Sequence, residues 1–386
     1  MKKIIISLFI LGLGAFLFIT FSQQKKTVET KKEEKEIVLT ETELEIKNSI
    51  FQDTFEEAKE IVDQMTLEEK IGQLFLVRYD KNMISKYAKY HPGGYILFAK
   101  DFQNHTKESF KKELERNQSL HRYSLIYAVD EEGGYVTRVS RFPAFRKEKF
   151  SSPKTYYEKG GYPLLEETEK EKALLLKELG IDWNLAPVAD LSTNPDDFIY
   201  IRTFGKEKEE VKELISHMVT YANQNKIASC LKHFPGYGNN KDTHTGSAID
   251  NRSYENFVEN DFVPFIGGIE ANVPSILVSH NKVMSMDENL PASLSPKVIV
   301  ELRNTLHFTG IILTDDLDMA AVKEYTEKSE AVTLAIHAGN DMIITSDFIP
   351  MVEEIKNAVE KKIIKEETID QAVLRIMAFK KMYQEE

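Results

Sequence analysis

The feature that most constrains the fold is an eightfold recurrence of short, nearly continuous apolar runs. In order they read IGQLFLVRYD, GGYILFAKD, SLIYAVDEE, DWNLAPVAD, IASCLKHF, SILVSHNK, GIILTDDLD and DMIITSD. Runs of this length without polar alternation are expected of strands buried on both faces of a parallel sheet. Amphipathic segments of helical period separate them, such as KESFKKELERNQSL, EETEKEKALLLKELG and EEVKELISHMVTYANQNK. Strand and helix alternating eight times predicts an α/β fold, a single (β/α)8 barrel of TIM type. The 386-residue length and 42% hydrophobic content can fill such a core.

Polar groups follow the apolar runs with equal regularity: Arg78, Lys100, Asp130, Asp190, Lys232 with His233, His280 with Asn281, Asp315 and Asp347. In a barrel of this kind the C-terminal strand ends form the active-site face. Helix capping explains some of the Asp and Asn residues. It does not explain Lys232, His233 or Arg138, which are poor caps. The pair Asp315–Asp316 places like charges side by side, which raises carboxylate pKa unless the groups are paired or used. One of the two is expected to face the barrel mouth and the other the surrounding loop.

Several function classes fall away. A net charge of -12 gives no electrostatic grip on nucleic acid. The single cysteine, Cys230, excludes an intrachain disulfide and a Cys-based metal site. His and Asp residues lack the HxH, HExxH or DxDxDG spacings that focus a metal, so no metal and no other cofactor is expected.

The chain opens MKK and then runs from Ile4 to Phe21 without a charge. Residues 1–22 therefore read as a membrane anchor or a signal peptide, with the globular body delivered outside the cytoplasm. Residues 23–48, rich in Lys, Glu and Thr, read as a charged tether. Residues 49–386 are expected to form the barrel.

A longer series of motifs gives a resemblance. MTLEEKIGQLF, GGYILF, DEEGGYVTR, GIDWNLAPVAD, RTFG, KHFPGYG, PASLS and TDDLDM occur in order. In these the chain resembles the family 3 glycoside hydrolases, in particular their β-N-acetylglucosaminidase (β-N-acetylhexosaminidase) branch, from about Met65 to Met382. The resemblance implies that Asp315 is the nucleophile of a retaining mechanism. It implies that His244, oriented by Asp242 in the DTH motif, is the acid/base on a loop. It also implies that Asp130, Arg138, Arg202, Lys232 and His233 hold sugar hydroxyls. The expected activity is release of terminal β-linked GlcNAc, from peptidoglycan fragments if the barrel faces outward, by a monomer with a glycan as its partner. Two alternatives remain: a β-glucosidase of the same family, and a surface carbohydrate-binding protein that has lost catalysis. Three departures fall on one loop. Tyr237 stands where the family's PGHG has His, DTH replaces DSH, and the NNK spacer before Asp242 is a residue short.

Overall fold

The computed structural model describes residues 39–240, 246, 248–326 and 328–384. The compact unit begins at Glu41, and residues 1–38 lie outside the described residues. Helix Glu41–Lys47, in the run read from sequence as tether, buries Ile46. Among the described residues no helix is long and apolar enough to cross a membrane.

The eight apolar runs all become strands of one parallel sheet. They are β1 (Phe75–Arg78), β2 (Gly94–Leu97), β3 (Ile126–Val129), β4 (Trp183–Asn184), β5 (Ala228–Phe234), β7 (Ser275–Val278), β9 (Ile311–Thr314) and β10 (Ile343–Thr345). The order β10-β1-β2-β3-β4-β5-β7-β9 follows the chain around the barrel. A parallel bridge between Leu313 and Met342 joins the last two strands and closes it. A separate pair, β6 (Ile249–Asp250) and β8 (Lys282–Val283), lies outside the barrel sheet.

The helices named from sequence form as Lys107–Gln118, Pro153–Glu178 and Lys208–Gln224. Ser152 caps the second, accepting from the Thr155 N–H, with Pro153 opening the first turn where its missing donor is harmless. This helix is bent at Gly161, whose φ of 63° no helix interior tolerates. Its sequence KGGYP reads as a break, so only the part after Pro163 has a clear helical signal.

The barrel strands are buried on both faces, as their composition requires. Trp183 is fully buried and donates through Nε1 to Ser275 Oγ at 2.9 Å, so it is a packing residue. Met319 and Met342 are likewise core. At the N-terminal end, the buried Lys380 amine donates to Gln73 Oε1 and the Ser124 carbonyl, both at 2.7 Å.

Candidate active site

At the C-terminal ends of the strands lies a cavity of about 360 Å³. Asp130, Arg138, Arg202, Lys232, His233 and Asp315 all line it. Sequence reasoning thus named residues that are far apart in the chain and that the barrel brings together. Asp242 and His244 lie outside the described residues.

The segment after β3 gives each of its three acids a separate task. Asp130 pairs with Lys232 Nζ at 2.7 Å. Glu131, fully buried, turns inward and accepts from the backbone N–H groups of Arg138 and Val139, at 2.7 and 2.8 Å. That grip returns the chain so that Arg138 reaches the cavity. Glu132 accepts from Arg202 Nη2 at 2.7 Å and Nε at 3.0 Å, and pairs with Lys232 at 2.7 Å. Gly133 makes the turn possible: its φ is 95°, and a Cβ there would stand 2.3 Å from the Ser151 carbonyl oxygen.

Burial works against the Glu132 charge, but Arg202 and Lys232 outweigh it and hold the carboxyl well below the usual carboxylate range. The same carboxylates, Asp130 and Glu132, overcome burial at Lys232 and raise its pKa. Glu132 and Lys232 are therefore both charged over the neutral range.

β5 supplies Lys232 and His233, joined by a cis peptide bond. Asp190, after β4, holds His233 by accepting from its backbone N–H at 3.1 Å and standing 2.7 Å from Nδ1. Its other oxygen accepts from the Tyr237 N–H at 2.7 Å. On the far side of the ring, His233 Nε2 lies 3.2 Å from Arg202 Nη2. Arg202 has no acceptor capacity, so it donates and Nε2 accepts. The proton of the neutral ring then sits on Nδ1, facing Asp190.

Beyond β9, Asp315 is anchored by its backbone N–H to the Val278 carbonyl at 2.9 Å, and its Oδ1 accepts from the Asp316 N–H at 2.8 Å. The structure differs here from the sequence expectation, because Asp315 and Asp316 both line the cavity. The reason is Arg78 at the end of β1, which donates to Asp316 and draws it inward. Asp316 also accepts from the Asp318 N–H at 2.9 Å. Burial pushes Asp316 up to about 6 in spite of Arg78. Arg78 and Arg138 both lie over the Phe98 ring, at 5.2 and 5.8 Å. Arg138 Nε is buried without a hydrogen-bond partner among the described residues.

Other strand-end groups support the site or stay apart from it. His280 is buried beneath it, 2.9 Å from the Asp316 carbonyl oxygen and 2.6 Å from Ser293 Oγ. Lys100 and Asp347 are not in the lining. Arg78 and Asp190 were visible in sequence only as polar residues after strands, Glu132 only within DEEGGYVTR, and Asp316 as the neighbour of Asp315. Their tasks depend on partners from other strands. Among the described residues no group of three or more His, Cys, Asp or Glu side chains is placed to hold a metal ion.

A polar, charge-paired pocket at the C-terminal face of a (β/α)8 barrel suits a hydroxyl-rich ligand. Comparison with known proteins decides the family. The family described as Glycosyl hydrolase family 3 N terminal domain matches residues 66–379.

The chain belongs to glycosyl hydrolase family 3.

It is therefore a glycoside hydrolase. A β-hexosaminidase of Hydrogenovibrio crunogenus is 30% identical over 277 residues, covering 69% of this chain and 75% of the relative. A β-hexosaminidase of Nitrosomonas eutropha is 30% identical over 287 residues, covering 70% and 78%. Among solved structures, a family 3 β-N-acetylglucosaminidase from a Paenibacillus species superposes with a TM-score of 0.77 at 26% identity. That match covers 83% of this family 3 chain and spans 63% of the larger protein.

Proposed function

We propose that this family 3 hydrolase is a retaining exo-β-N-acetylglucosaminidase in which Asp315 is the nucleophile and the Asp242/His244 pair the acid/base. The observation that carries the reading is the position of Asp315 at the end of β9, in the cavity that Asp130, Glu132, Arg202 and Lys232 also line. Asp130 and Glu132 are committed to Lys232 and Arg202, and Asp316 to Arg78. Asp315 shares the cavity with them at the end of β9. The identity to β-hexosaminidases supports the choice of sugar.

In the first step an Asp315 oxygen bonds to the anomeric carbon as the bond to the leaving oxygen breaks, and His244 gives that oxygen its proton. In the second, His244 takes a proton from water, which attacks the same carbon and releases Asp315. A His titrates near neutrality and can serve in both directions, and Asp242 would stabilise its charged form. Asp130, Lys232, Arg202, His233 and Arg138 would hold the sugar hydroxyls.

The substrates proposed are β-linked GlcNAc glycans of the peptidoglycan type. The uncharged run Ile4–Phe21 supports a barrel held or released outside the cytoplasm. The test is a panel of aryl β-glycosides of GlcNAc, glucose and xylose. Preference for GlcNAc that disappears in Asp315→Ala is expected. Preference for glucose would move the chain to the β-glucosidases, and inactivity on all would make it a binding protein.

A further inference from the structure

The segment that carries Asp242 and His244 runs between two stems. One is residues 236–240, after β5, and the other is residues 249–252, which begin with β6. Both stems lie within the described residues, and one side chain joins them.

That side chain is Arg252. Its Nε donates to both Asp250 oxygens at 3.0 Å, and its Nη2 donates to Asp250 Oδ2 at 2.8 Å. Nη1 donates to the two oxygens of Asp261, at 3.0 and 2.8 Å. Nη2 also reaches the Gly236 carbonyl at 3.3 Å. The guanidinium thus holds its own stem through Asp250, the opposite stem through Gly236, and the helical segment 254–270 through Asp261. A Cβ at Gly238 would stand 2.6 Å from Arg252 Cζ, so the group lies directly against the first stem. The Phe257 ring packs on it, with its centroid 4.3 Å from Cζ.

Further bonds fix the stems to each other and to the barrel. Asn240 Nδ2 donates to the Tyr237 carbonyl at 2.8 Å and to Asp250 Oδ2 at 2.7 Å. The Tyr237 N–H donates to Asp190, the residue that orients His233. On the second stem, the Ala248 and Asp250 carbonyls accept from the N–H groups of Lys282 and Met284. An arginine between two buried aspartates is ordinary as charge pairing. Here its third acceptor is the backbone of the opposite stem. Moreover, Arg252, Asp250 and Asp261 do not line the cavity that holds Asp315.

We infer that Arg252 is a positioning residue for the acid/base: it sets the separation and orientation of the two stems, and through them the reach of the Asp242/His244 segment. This role rests on the reading of His244 as the acid/base. The spacer before Asp242 is a residue short, so the placement of the stems governs more of that reach. A misplacement of about 1 Å in a reacting group can cost about a hundredfold in rate.

The experiment takes the ratio of kcat/KM for the 4-nitrophenyl and 4-methoxyphenyl β-glycosides of GlcNAc. The first leaving group departs with little protonation, and the second needs the acid. A variant that merely folds poorly leaves this ratio unchanged. His244→Ala is expected to raise it about tenfold or more, and Arg252→Met about threefold to thirtyfold. Arg252→Lys keeps a charge between Asp250 and Asp261 but lacks the planar fork, and should raise it too. Adding Arg252→Met to His244→Ala should raise it no further, because the arginine acts through that histidine. An unchanged ratio in both Arg252 variants would overturn the inference, as would a full further rise on top of His244→Ala. If His244→Ala itself leaves the ratio unchanged, the acid/base reading fails and the role of Arg252 with it, a result distinct from failure at Arg252 alone. Should the protein prefer glucosides, the ratio is taken with the corresponding pair of glucosides.

Discussion

Asp190 holds His233 at two points, accepting from its backbone N–H at 3.1 Å and lying 2.7 Å from ring Nδ1. The pairing fixes both the ring plane and the nitrogen that carries the proton, leaving Nε2 to accept from Arg202.

The first prediction follows from that geometry. Asp190→Asn keeps the size of the side chain but removes the charge that favours a proton on Nδ1. The ring is expected to lose its fixed tautomer, with kcat/KM falling about tenfold to a hundredfold. Steady-state kinetics beside a thermal melt would check this. A variant as active as wild type would show that the Asp190 charge does not position His233.

Lys232 is the cation on which Asp130 and Glu132 converge. Lys232→Met leaves the buried Glu132 and the partly buried Asp130 facing each other, with Arg202 on only one of them. A loss of about 3–5 kcal/mol in stability is expected, read by urea denaturation. Adding Glu132→Gln should restore part of that stability without restoring activity. If the double variant were no more stable than the single one, charge repulsion would not be the cause.

Lys380, at the closed end of the barrel, gives a prediction about pH. Burial lowers its pKa from 10.5 to about 7. The unfolded chain holds this proton more tightly, so the amine destabilises the fold most below pH 7 and not at all above 10.5. Relative to Lys380→Met, wild-type stability should rise between pH 7 and 10.5 by up to about 1.4 kcal/mol per pH unit. Parallel stability curves for the two proteins would contradict this.

The barrel was legible in the sequence because strands buried on both faces cannot alternate, and all eight runs stood out. Strand limits were less so. DWNLAPVAD pairs regularly only at Trp183–Asn184, since Pro187 has no N–H to give to a ladder. The β6/β8 pair, of two residues per strand, is too short for any periodicity. At the site, the DEEGGYVTR and KHFPGYG motifs pointed to strand ends whose residues line one cavity. They did not reveal that Glu131 serves the loop while Glu132 serves the floor. Adjacent identical residues are separated only by which way the turn at Gly133 sends them. The inward turn of Asp316 depends on Arg78, a residue far away in sequence that only barrel closure brings near.

The central claim, that Asp315 attacks the anomeric carbon, is tested most directly by trapping the intermediate. A 5-fluoro GlcNAc glycosyl donor with a good leaving group slows release of the glycosyl-enzyme, so the adduct accumulates and can be weighed by intact-protein mass spectrometry. Peptide mapping is expected to place a single glycosyl group on Asp315, with none formed by Asp315→Ala. An adduct on another carboxylate, or steady turnover of ordinary substrate by Asp315→Ala, would contradict the account.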